Sequence, residues 1–313
     1  MHFVIVGSGA VGGYFGARLA QSGQEVSFIA RGEHLSVMQQ QGLVIESLNG
    51  DFVVKSITAV EHSAQLAIAD VILLAVKSFQ LIDAIKLIEP VIRSTTRIIP
   101  LLNGVNAAQL LIDNGIGSQQ VYGGLAKIIS QLKSPGVIAH TGAEPHITLG
   151  LLPQNDTVTA RHNEQQRMED IVQCFKQAKV SVGVAKDINL ALWRKFIFVA
   201  AWGALASCLR LPVGQLRQGE QRDKLLAIIN EYATIAQYLG VAITDALILQ
   251  TVKFIDALPA QSETSMQRDL ENGLQSEFDT LVAYPYQLAM QHQLTTPVLK
   301  QCYQQLTSKN YNK

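Results

Sequence analysis

Four apolar residues, Phe3-Val4-Ile5-Val6, run straight into Gly7-Ser8-Gly9-Ala10-Val11-Gly12-Gly13. The run is short, rich in β-branched side chains and stopped by glycine, the pattern of a strand buried on both faces. Tyr14-Phe15-Gly16-Ala17-Arg18-Leu19-Ala20 then reads as a helix. The spacing Gly7-x-Gly9-x-x-Gly12 therefore falls between a strand and a helix, the context in which it marks a dinucleotide-binding turn. The first glycine allows the tight turn, the second lets backbone approach a pyrophosphate, and the third lets helix and strand pack closely. Phosphate is expected at the helix N-terminus, against unpaired N–H groups at the positive end of the helix dipole. Gly7, Ser8, Gly9, Ala10, Val11 and Gly12 are accordingly expected at a cofactor, and the N-terminal part is committed to an α/β Rossmann-type fold.

The next strand-like segment, residues 25–30, leads into Arg31-Gly32. NAD-binding versions of this turn place an acidic residue near here to hold the ribose 2′-hydroxyl. Arg31 takes that neighbourhood instead, and its planar fork of donors suits a 2′-phosphate. Arg31 thus favours NADP (NADPH) over NAD, against the plain alternative of a solvated arginine. Lys77 follows the buried-strand run Val71-Ile72-Leu73-Leu74-Ala75-Val76, and Asn103 follows Arg97-Ile98-Ile99-Pro100-Leu101-Leu102. Both lie just beyond the carboxyl ends of predicted strands, where open α/β sheets place their ligands, against the plain alternatives of a surface lysine and a common Asn-Gly turn.

Beyond residue 186 the pattern changes. Residues 222–239, 244–258 and 270–291 read as helices, Pro259 and Pro297 punctuate them, and no strand pattern is evident. Two domains are expected for 313 residues: residues 1–186, an NADP-binding Rossmann-like domain, and residues 187–313, an all-α substrate and catalytic domain. Lys+Arg and Asp+Glu balance at 25 each, so no basic excess points to nucleic acid and no charge run to a membrane surface. Cys174, Cys208 and Cys302 are widely spaced and the histidines are scattered, so no disulfide framework or metal site is expected. The N-terminus lacks a basic stretch ahead of its apolar run, and residues 196–209 are too short a charge-free segment to span a bilayer. A cytoplasmic enzyme with a small-molecule substrate is expected, and a homodimer is compatible with the sequence.

A nicotinamide cofactor implies hydride transfer, and reducing a carbonyl also requires a proton donor for the developing alkoxide. Lys195 is the sharpest candidate, flanked by Leu192, Trp193 and the apolar run from Phe196. Burial disfavours a lysine's charged form and brings its pKa towards a range useful for proton exchange. The plain alternative is a lysine that snorkels from a buried helix. Ser265 and Glu277 form a second pair, for which a helix cap near residues 262–265 and a solvated helix face are the plain alternatives.

With these residues assembled, the chain resembles the ketopantoate reductase (2-dehydropantoate 2-reductase) family over nearly its whole length. The segments GSGAVGGYFG, AVKSFQ around Lys77, LLNGV around Asn103, LWRKF around Lys195, and TSMQRDL followed by EFD carry the resemblance. It implies NADPH-dependent reduction of 2-dehydropantoate to (R)-pantoate, on the route to pantothenate and coenzyme A. It further implies that Lys195 protonates the substrate carbonyl oxygen and that Asn103 lies beside nicotinamide and substrate. Ser265 is implied to hold the substrate carboxylate, and Glu277 to serve catalysis and substrate-hydroxyl contacts. Arg31 and Lys77 are implied to bind the cofactor, which is expected together with the substrate in the cleft between domains.

The sequence also departs from the family. Characterised members carry asparagines four and eight residues after the catalytic lysine; here these positions are Val199 and Gly203. Lost hydrogen bonds to a substrate hydroxyl change substrate preference more readily than they abolish hydride transfer. The alternatives are an NADPH-dependent reductase of a different 2-keto acid and, ranked last, a non-catalytic NADPH-binding regulator.

Overall fold

The computed structural model describes residues 1–153 and 158–308. The chain divides into two compact units: residues 1–102 with 106–188, and residues 103–105 with 189–313.

The first unit begins with β1 (His2–Val6), α1 (Ala10–Gln21), β2 (Glu25–Ile29) and α2 (Gly32–Gln41), followed by β3 (Leu43–Ser47), β4 (Phe52–Val54) and β5 (Thr58–Val60). It continues through β6 (Val71–Leu74), α3 (Leu81–Ile88), β7 (Arg97–Pro100) and α4 (Ala107–Asp113), then β8 (Tyr122–Ser134), β9 (Val137–Leu151), α5 (Val158–Gln177) and β10 (Ser181–Val184). Five strands form a parallel sheet in the order β5-β2-β1-β6-β7. All residues of β1, β6 and β7 are buried, as strands covered on both faces must be.

A second sheet runs β10-β9-β3-β4, with β8 joined antiparallel to β9. Helix α1 lies against both sheets, packing on β1 and β2 and also on β3, β8 and β9. Its glycines explain how. A Cβ at Gly16 would sit 2.5 Å from the Phe28 ring, on the side of the parallel sheet, and one at Gly13 would overlap Ile138 of β9. The glycine-rich opening therefore serves the packing of a helix between two sheets as well as any ligand.

The regular elements among the described residues of the second unit are all helical: α6 (Ile188–Leu209, whose first residue belongs to the first unit), α7 (Val213–Leu216), α8 (Gly219–Tyr238), α9 (Asp245–Asp256), α10 (Ser265–Glu271), a π-helical turn (Asp279–Ala283), α11 (Tyr284–Gln291) and α12 (Pro297–Ser308). By length and composition α6 is apolar enough to cross a membrane. Its Phe196, Ile197, Ala200, Ala201, Ala204 and Leu205 instead build the core of this unit.

The predicted helix over residues 270–291 is corrected. The chain leaves helix after Glu271 and resumes just beyond Glu277. Gly273, at φ +66°, takes the left-handed conformation, with its N–H donating to the Leu270 carbonyl and that of Leu274 to the Asp269 carbonyl. That pair of bonds is a glycine-terminated helix end, which the apolar spacing alone did not reveal.

Candidate active site

The nucleotide turn follows from the end of β1. Gly7 has φ +91°, and a Cβ there would lie 2.6 Å from the Ala75 carbonyl oxygen, so only glycine fits where the segment after β6 passes. Gly12 packs as closely, against the Gly7 carbonyl, Ala75 and Ile5. At Gly9 the situation is opposite: an added Cβ would meet nothing within 4 Å. Gly9 is the N-cap residue of α1, offers no side chain to the first turn, and no acidic residue follows it there. The first N–H groups of α1, around Ala10 and Val11, thus lie beside open space with a favourable dipole, and they fit a pyrophosphate.

The side chain of Ser8 is engaged within the protein. Its buried hydroxyl donates to the Ile29 carbonyl at 2.8 Å, tying the turn to the end of β2. Any contact of Ser8 with a nucleotide would come from its backbone. Arg31 follows β2 as the exposed N-cap residue of α2, and half-buried Lys77 opens the 3₁₀ turn Ser78–Gln80 beyond β6. Lys77 thus comes two residues after the Ala75 backbone that touches Gly7.

The remaining site candidates all belong to the second unit. Lys195 lies on α6 between buried Trp193 and Phe196. Burial pushes its amine down to about 8, and the nearby Glu277 carboxylate opposes that shift. Glu277 is itself buried, and Asn103 donates to it from Nδ2 to Oε2 at 3.1 Å. The π-helical turn that follows places Glu277. The Leu281 N–H donates to the Glu277 carbonyl, and the buried Tyr232 hydroxyl from α8 donates to the Leu281 carbonyl at 2.6 Å. Such widened turns recur at functional sites.

Val199 and Gly203 continue the Lys195 face of α6, one and two turns on. A Cβ at Gly203 would be 3.6 Å from the Met266 methyl and 3.8 Å from the Thr264 hydroxyl, so Gly203 faces the residues on either side of Ser265. The cap of α10 is Thr264, whose hydroxyl accepts from the Gln267 N–H at 3.1 Å, which leaves the half-buried Ser265 hydroxyl outside that role.

Lys195, Glu277 and Asn103 thus form a connected cluster, with Ser265 on the helix start that faces Gly203. The arrangement offers a proton on a depressed ammonium, a carboxylate to steady that charge, and an oriented amide. Among the described residues no group of three or more His, Cys, Asp or Glu side chains could hold a metal ion. One residue that sequence reasoning passed over is His34, whose ring contacts the Ser8 carbonyl. Its position just past Arg31 was the available signal, and a solvated helix face would look the same.

Comparison with known proteins agrees with this organisation. A family model described as ketopantoate reductase PanE/ApbA matches residues 3–154, and the model of its C-terminal part matches residues 187–310. An uncharacterised oxidoreductase, YkpB, of Bacillus subtilis (strain 168) is 31% identical over 309 residues, covering 98% of each chain. The crystal structure of 2-dehydropantoate 2-reductase from Geobacter metallireducens GS-15 superposes with a TM-score of 0.88 at 27% identity, over 99% of this chain and 100% of that one. D-mandelate dehydrogenase, solved with NADH and anilino(oxo)acetate, shares the fold with a TM-score of 0.86 at 21% identity, over 99% and 98% of the two chains.

Proposed function

The chain belongs to the ketopantoate reductase PanE/ApbA family of oxidoreductases, and from that premise we propose that it reduces a 2-keto acid with NADPH, namely 2-dehydropantoate to (R)-pantoate. The observation that carries the reading is the half-buried Lys195 beside the buried Glu277, with Asn103 bonded to the same carboxylate. A bound NADPH would supply hydride to the keto carbon. Lys195 Nζ would pass its proton to the carbonyl oxygen as charge develops there, so that the product leaves as a neutral hydroxyl. Glu277 keeps the ammonium protonated near neutral pH and fixes the Asn103 amide. Ser265 would hold the substrate carboxylate. Arg31 and Lys77 would meet the cofactor phosphates, while the N–H groups around Gly9, Ala10 and Val11 take the pyrophosphate.

The test is direct. Purified protein mixed with 2-dehydropantoate should consume NADPH much faster than NADH, read by loss of reduced-nicotinamide absorbance. Absence of turnover with 2-dehydropantoate would overturn the substrate assignment.

A second reading keeps the chemistry and changes the substrate. Val199 and Gly203 offer no hydrogen bond on the Lys195 face of α6, and their surroundings include the Met266 methyl and the apolar core of the unit. These residues suit a 2-keto acid with an apolar tail better than a hydroxylated one, because a buried hydroxyl without a partner costs about 1–3 kcal/mol. A panel pairing hydroxylated with apolar 2-keto acids separates the two readings.

A further inference from the structure

Resting on the nucleotide reading above, we infer that His34 is a positioning residue of the cofactor turn, fixing the direction in which the Gly9 N–H points. Ser8 stands between the first two glycines of the turn. Its carbonyl is 2.9 Å from Nε2 of His34, which lies in the first turn of α2. The other ring nitrogen, Nδ1, accepts the Gly136 N–H at 2.9 Å, from the tight connection between β8 and β9. A backbone N–H can only donate, so Nδ1 is the bare nitrogen and Nε2 carries the hydrogen. His34 therefore donates to the Ser8 carbonyl, and both ring nitrogens are engaged.

Gly136 is itself held close to α2. It has φ +73°, and a Cβ there would overlap the Val37 side chain, three residues on from His34 and on the same face of that helix. The histidine thus bridges two parts of the first unit that its own helix already separates by a fixed distance.

The consequence comes from peptide geometry. In a planar trans peptide the carbonyl and the following N–H point in opposite directions. With the Ser8 carbonyl held against His34, the Gly9 N–H points away from His34. A Cβ at Gly9 would find open space, so there is room at this residue for an anion to approach. Were that peptide to rotate, a carbonyl oxygen would face the phosphate in place of a donor. The Ser8 hydroxyl is occupied with Ile29, and the side chain that bonds the Ser8 carbonyl is that of His34.

The experiment measures nucleotide affinity in wild type, His34→Ala and His34→Gln, with circular dichroism to show that each is folded. NADPH titration should give a dissociation constant about tenfold weaker for His34→Ala, the size of one well-formed hydrogen bond. At saturating NADPH, kcat should stay within about twofold of wild type, so the loss appears in KM for the cofactor. His34→Gln, whose amide can still donate to the Ser8 carbonyl, should recover most of the affinity. In the nucleotide-free protein, NMR of the ring nitrogens should show the His34 hydrogen on Nε2.

Folded His34→Ala binding NADPH as tightly as wild type would overturn the inference while leaving the functional reading intact. So would a His34→Gln as weak as His34→Ala, or a ring hydrogen that resides on Nδ1. Wild type binding neither NADPH nor NADH would overturn both.

Discussion

Asn103 and Glu277, 174 residues apart in sequence, share a hydrogen bond of 3.1 Å from Nδ2 to Oε2. Asn103 comes three residues after the end of β7 at Pro100, yet residues 103–105 group with the helical unit. A residue expected at the cofactor is thus joined to the carboxylate that acts on Lys195.

The pH dependence of reduction follows from that carboxylate and from burial. With the Lys195 amine pushed down to about 8, the proposed proton donor is present below that pH and lost above it. We predict that kcat/KM for keto-acid reduction falls about tenfold per pH unit above pH 8, measured in stopped-flow at fixed ionic strength. Because the unfolded chain keeps this proton up to the ordinary lysine value of 10.5, the contribution of Lys195 to stability rises with pH between about 8 and 10.5.

Glu277→Gln should move the same limb to lower pH. Removing the negative charge leaves desolvation unopposed, and the lysine gives up its proton more readily. A pH profile of the variant that superimposes on wild type would mean that Glu277 does not govern the donor.

Ser265 and Thr264 should separate cleanly. Thr264→Ala removes the cap of α10 and should cost about 1 kcal/mol of stability in urea unfolding. Ser265→Ala should leave stability nearly unchanged and raise the keto-acid KM by about ten- to a hundredfold, as loss of a bond to a carboxylate implies.

The Arg97–Glu164 pair supplies a control distant from these roles. Arg97 of β7 donates to Glu164 of α5 through Nε at 2.6 Å and through its terminal nitrogen at 2.5 Å, and the Tyr122 hydroxyl donates to the same carboxylate at 2.7 Å. Both charged side chains are largely buried. Glu164→Ala leaves an uncompensated guanidinium and should destabilise the fold by about 3–5 kcal/mol, with kcat unaffected in the protein that remains folded.

What could be read from sequence was local. The strand, the glycine turn and α1 are contiguous, so spacing sufficed, and Lys195 stood out because Trp193 and Phe196 flank it. The hairpin of β8 and β9 gave no comparable signal. Only Tyr122–Ala126 of β8 is uniformly buried, and a sheet pairing formed with β3 and β10 depends on partners far along the chain. The break between α10 and the π-helical turn depended on the left-handed Gly273, which looks like any glycine until its backbone angle is known. The orientations of Ser8, His34 and Asn103 likewise depend on partners that only the folded chain brings together.

The central claim is that the Lys195 ammonium supplies the proton for hydride reduction of a 2-keto acid. Its most direct test compares wild type with Lys195→Met in NADPH oxidation by 2-dehydropantoate and by an apolar 2-keto acid, alongside NADPH titration. Wild type should turn over at least one of these acids, and the variant should lose at least about a hundredfold in rate with unchanged NADPH affinity. Full activity in Lys195→Met, or no keto-acid reduction by wild type that binds NADPH, would contradict the claim.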